Sequence, residues 1–138
     1  MIGVNNLTTV TVEKDFLRKV AEKVLDRENR KGNELSVALV GEGRIKELNK
    51  RYRKKNRVTD VLAFSNSEVG LGEIVICLRE VKKNAKKYNS AFKKELARVL
   101  IHGLLHLLGY DHEKSAKEAE KMEEKQNYYL KLCQKLIS

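Results

Sequence analysis

Glu34-Leu35-Ser36-Val37-Ala38-Leu39-Val40 reads as a β-strand with no fully wet face: Leu35, Val37 and Leu39 line one side, and Ser36, Ala38 and Val40 leave the other largely apolar. A strand of this kind is covered on both sides. Upstream, Val4 to Val12 can form a first strand, and Glu13 to Asn29 places Phe16, Val20, Val24 and Leu25 at helical spacing, with Thr11 as its cap and Gly32 as its stop. Downstream, Gly41 and Gly43 frame the turn into a basic helix, Arg44 to Lys54, that should bury Ile45, Leu48 and Tyr52. Two further strands, Thr59 to Ser65 and Leu71 to Leu78, are separated by a polar turn of Asn66, Ser67 and Gly70 suited to a hairpin. Helical patterns fill the rest: Arg79 to Tyr88, Ala91 to Leu108 and Ser115 to Leu136. The expected architecture is α+β, a small mixed sheet of about four strands packed by about five helices. With no linker or repeat, residues 1–138 read as a single domain.

Composition narrows the setting. The 138 residues carry 29 basic and 19 acidic side chains, a formal charge of +10, and 41% hydrophobic residues. No window approaches the roughly 18 apolar residues of a membrane span, and Met1 to Thr9 lacks a signal-peptide pattern, so a cytoplasmic protein is expected. Cys77 and Cys133 fit neither a disulfide scaffold nor a redox motif and read as buried thiols. The charge is uneven. From Arg44 to Arg57 eight residues are basic and only Glu47 is acidic, and a second basic run spans Arg79 to Lys94. Such runs suit a polyanion, although a solvated helix face produces the same pattern.

All three histidines fall in His102-Gly-Leu-Leu-His106-Leu-Leu-Gly109-Tyr-Asp111-His112. On a helix, His102 and His106 project from one face one turn apart, a separation that one metal ion bridges. Gly109 can stop the helix in a left-handed conformation, so that His112 returns as a third ligand. Three imidazoles with no obligatory fourth protein ligand describe an open Zn²⁺ site, one ion per chain, of the kind used in catalysis. The spacing is that of the extended metzincin motif, but the protease's general base, Glu, is replaced by Gly103. A zincin-like helix without that carboxylate leaves a metal that acidifies water and polarises a phosphoryl oxygen. Asp111 can orient an imidazole or cap the turn, and Tyr110 can stack on a base or pack.

Together with the histidine block, Leu48-Asn49-x-x-Tyr52-Arg53, Thr59-Asp60-Val61-Leu62-Ala63-Phe64 and Leu71-Gly72-Glu73-Ile74 resemble the bacterial YbeY family over nearly the whole chain. Val58, Ala63 and Glu73 stand where that family usually has Pro, Ser and Asp. The resemblance implies a cytoplasmic zinc-dependent endoribonuclease, specific for single strands, that matures the 3′ end of small-subunit ribosomal RNA and serves ribosome quality control. It places the metal ligands on His102, His106 and His112 and the functional arginine on Arg53. On this reading Arg53 grips the scissile phosphate, while Lys54, Lys55 and Arg57 track the flanking RNA backbone. Water and the RNA 2′-OH remain alternative nucleophiles. Two other classes stay open: a non-catalytic, zinc-stabilised factor that binds RNA on the small ribosomal subunit, and a zinc amidase or peptidase.

Overall fold

The computed structural model describes residues 1–66 and 70–138. Among them, strands β1 (Ile2–Asn6), β2 (Leu35–Val40), β3 (Val61–Ser65) and β4 (Gly72–Cys77) form one mixed sheet, ordered β1-β2-β4-β3. The first two and β4 run parallel, and β3 is antiparallel to β4 on the edge. Six helices surround it: α1 (Lys14–Arg27), α2 (Glu42–Arg53), α3 (Leu78–Lys87), α4 (Phe92–Leu107), α5 (Ala116–Leu132) and the short α6 (Gln134–Ile137). The α+β architecture is the expected one, with the last predicted helix broken at Cys133.

The alternation along β2 divides the core as its sequence implies. Leu35, Val37 and Leu39 join Ile74 and Ile76 of β4 in the larger cluster, under α1 and α4. Ala38 and Val40 belong to a smaller one with Leu62, Val75, Cys77 and Ile45 of α2. Both cysteines are buried, free thiols.

Several boundaries differ from expectation. The first strand ends at Asn6, not Val12, because the Asn6 side chain folds the next residues into a turn: its Oδ1 accepts from the Thr8 backbone and its Nδ2 donates to Val10 O. Thr11 does not cap α1; Glu13 occupies that position without a side-chain hydrogen bond. Asn29, at φ 59°, turns the chain after α1 before Gly32 is reached. Gly41 is the N-cap of α2, and Gly43 lies inside the helix. Within α2, Ile45 is buried as expected, but Asn49 takes the second buried position and Tyr52 is 55% exposed. The turn expected at Ser67 lies outside the described residues, although the strands it joins do pair. Gly72, at φ 146°, lets β4 approach β3 closely, since a Cβ there would overlap Phe64 O.

α4 packs on β3 and β4 and against α1, α3 and α5, so it is the element on which the rest converges. Gly103 makes its close approach possible: a Cβ there would stand 3.1 Å from Ile74 Cγ2 and 3.3 Å from Val61 Cγ2. The missing carboxylate thus has a packing explanation. Gly103→Val is expected to destabilise the fold by about 2 kcal/mol, since added methyls overpack a dense interface. Chemical denaturation checks this, and an unchanged midpoint would contradict the packing account.

Candidate active site

The histidine block folds around the end of α4. Leu108 is the C-cap, Gly109 adopts φ 100°, and backbone bonds from Gly109 N to His106 O (3.1 Å) and Tyr110 N to Leu105 O (3.0 Å) close the turn. This is a Schellman ending, which reverses the chain while satisfying the last carbonyls. Asp111 then accepts from Glu113 N at 3.0 Å, so it shapes the turn that carries His112. Ser115 caps α5 by accepting from Glu118 N at 3.1 Å.

This route brings the three imidazoles together. One nitrogen from each of His102, His106 and His112 lies within 4.8 Å of the others, and ring centroids are 4.9, 5.5 and 5.0 Å apart. Three imidazole nitrogens converging from a helix and the turn after it fit a divalent ion with an open position. His102 Nδ1 lies 2.9 Å from Gln126 Oε1 of α5, so it donates there and leaves Nε2 for a metal. Gln126 escaped the sequence reading. The signal was a polar residue on the buried face that Met122 and Tyr129 form along α5 and that Cys133 continues at its C-cap.

Tyr110, whose role was open, packs and is tied down. Its hydroxyl donates to Glu28 at 3.0 Å, and Glu28 also accepts from Tyr129 and, at 3.4 Å, from Lys125. Burial alone would raise the Glu28 carboxyl, but the hydrogen bonds from Tyr129 and Tyr110 and the Lys125 charge hold it below the ordinary value. An ionised Glu28 therefore anchors the residue two before His112 to the end of α1.

Burial is the main cause that lowers the His102 and His106 pKa values below the usual histidine figure. At His106 the His102 and His112 rings act in the same direction, whereas at His102 the Gln126 hydrogen bond opposes it. The fold thus prefers these rings neutral, the form that binds metal. Relative to unfolded imidazoles titrating near about 6.5, that stabilisation is present above about pH 6.5 and is lost as pH falls through the lowered values. Metal-stripped protein is accordingly expected to lose Tm on acidification across this window. A Tm flat from about pH 7.5 to about pH 5 would contradict the assignment.

The histidines line a cleft of about 570 Å³ whose other wall is β3 and the segment after α2. Arg53, Lys55 and Arg57 line it as well; Lys54 does not, because it ends α2 in a left-handed conformation at φ 58°. Asn49 braces this basic segment: its side-chain Nδ2 donates to Arg57 O (3.0 Å), and its backbone carbonyl accepts from Lys55 N (3.2 Å). Arg53 donates through Nη2 to Ala63 O of β3 at 2.5 Å, and its guanidinium lies 4.9 Å from the Phe64 ring centre. Among the described residues none of Arg53, Lys54, Lys55 and Arg57 makes an ion pair, so their charge is available to an incoming anion. Asp60, Asp111 and Glu113 supply negative charge to the same cleft.

No helix among the described residues is long and apolar enough to cross a membrane. The family model described as Endoribonuclease YbeY matches residues 4–134. A curated protein of Thermotoga neapolitana named Endoribonuclease YbeY is 48% identical over 120 residues, 85% of this chain and 80% of its own length. That of Aquifex aeolicus, with the same name, is 40% identical over 131 residues, 91% and 87% of the two chains. A solution structure from Thermotoga maritima matches with a TM-score of 0.69 at 39% identity, covering 94% of this chain and 87% of that one.

Proposed function

The chain belongs to the endoribonuclease YbeY family, and from that premise we propose that it is a zinc-dependent nuclease that cuts unpaired segments of ribosomal RNA. Its substrate on this reading is the 3′ end of the small-subunit RNA, met on the small ribosomal subunit in the cytoplasm, with a further part in ribosome quality control. Residues 1–138 act as one domain.

The observation that carries the reading is the convergence of three imidazole nitrogens, within 4.8 Å of one another, in the cleft that Arg53, Lys55 and Arg57 also line. His102, His106 and His112 would hold the ion. When bound, zinc supplies Lewis acidity toward a phosphodiester and water acidified to a pKa of about 7. Gln126 fixes the tautomer of His102. Arg53, positioned by Ala63 O and Phe64, offers its remaining N–H groups to the scissile phosphate and to charge that develops there. Lys55 and Arg57 hold the adjoining backbone, while Lys54 contacts RNA only if the strand continues outside the cleft. A site walled by β3 and α4 admits a phosphate that an extended single strand presents more readily than a duplex does.

The test is incubation of zinc-loaded protein with a structured small-subunit RNA fragment, with cut positions and ends mapped. Cuts confined to unpaired segments support the reading. Ends without a 2′,3′-cyclic phosphate assign attack to water, and cyclic ends assign it to the 2′-OH. Intact RNA, both naked and within small subunits, would overturn the proposal.

A further inference from the structure

The face of the sheet under α2 is only partly covered. Ile45 closes it over Val40, Val75 and Cys77, but toward the far end Ser36, Phe64 and Glu73 open into a second pocket of about 540 Å³, which Tyr52 and Leu48 also line. Tyr52 is 55% exposed although its helical spacing suits a core position, and its ring meets Phe64 edge-on at 5.5 Å. Among the described residues β3 separates this pocket from the histidine cleft, and Ser65 lines both. Arg53 reaches across the divide, with one N–H on Ala63 O and its guanidinium against Phe64.

We propose that the Tyr52–Phe64 pocket is a nucleobase subsite, holding the base of a nucleotide next to the phosphate that Arg53 grips. The inference rests on the nuclease reading above and adds where a base of the bound strand goes. Aromatic faces beside a phosphate-binding arginine are the common means of holding an unpaired strand, because every base has a π-face. Charge decides which part of the nucleotide enters. Glu34 and Glu73 line the pocket together with Arg44, whose guanidinium pairs with Glu47 at 3.0 Å; the two carboxylates outnumber that cation, repel a phosphate and accept hydrogen bonds from exocyclic amines, so the base turns inward and the backbone stays over β3.

Binding of a fluorescein-labelled unpaired oligoribonucleotide to the full chain tests this, with chelator present to prevent cutting and each nucleotide in turn made abasic. Wild type is expected to lose roughly tenfold in affinity at one position. Tyr52→Leu should lose the same factor on the intact strand and be indifferent to that abasic site, while Tyr52→Phe behaves as wild type. Tyr52 is at the surface, so equal Tm values confirm intact folds. An abasic penalty that persists undiminished in Tyr52→Leu, or full affinity of that variant for the intact strand, overturns the subsite. If zinc-loaded wild type cuts RNA in the parallel assay and Tyr52→Leu is unaffected throughout, the subsite alone fails. If wild type neither binds nor cuts, the nuclease reading fails and the subsite with it.

Discussion

His106→Ala is expected to abolish RNA cleavage while RNA binding stays close to wild type. His106 supplies one of three converging nitrogens and makes no hydrogen bond to another element among the described residues, so its loss removes a ligand without removing a structural tie. A metal held there would contribute several kcal/mol to the transition state through its Lewis acidity, and at 1.36 kcal/mol per tenfold its loss should cost about three orders of magnitude in rate. Basic groups on the opposite wall, Arg53, Lys55 and Arg57, remain to hold the strand. The measurement pairs zinc content with cleavage rate and binding affinity. Loss of zinc and cleavage with retained binding supports a nuclease. Stability and RNA affinity falling together, with no cleavage by wild type to lose, would instead make the protein a zinc-stabilised assembly factor.

Arg53→Ala should lower kcat by roughly 10²- to 10³-fold while leaving zinc content unchanged, the loss typical of a donor aimed at developing charge. Arg53→Lys should recover little. The guanidinium has a fork that bonds Ala63 O and still presents donors, and a flat face that rests against Phe64. An ammonium reproduces the charge without either feature. Single-turnover rates at saturating RNA separate this from weaker binding. A change confined to affinity, steeply salt-dependent, would make Arg53 a backbone contact like Lys55 and deny it a part in the cutting step.

The histidine cluster was legible because its geometry is local. A spacing of four on a helix fixes His102 and His106 on one face, and Gly109 fixes the reversal that returns His112, so the chain's own stereochemistry nearly assembles the cluster. β2 was legible for the same reason, since alternation alone assigns its two faces. Errors arose where side chains competed with the backbone or where cover depended on distant elements. Asn6 ended β1 early through its own hydrogen bonds. Tyr52 has the spacing of a buried residue, but α2 sits so that Asn49 and not Tyr52 turns inward, there to hold the Arg57 backbone.

By itself, then, the sequence determined the histidine cluster, the mixed sheet and the run of positive charge, each a matter of periodicity within one or two elements. Tertiary structure decided which charges face the histidines: Arg53, Lys55 and Arg57 share the cleft, and Lys54, their neighbour in sequence, is turned away. It also supplied Gln126 behind His102 and Glu28 behind Tyr110, partners separated by 24 and 82 residues. A polar position on a buried face marks Gln126, but which residue each of these groups meets leaves no local pattern, because the pairs form only when α4 settles on the sheet through Gly103 and brings α1 and α5 against it.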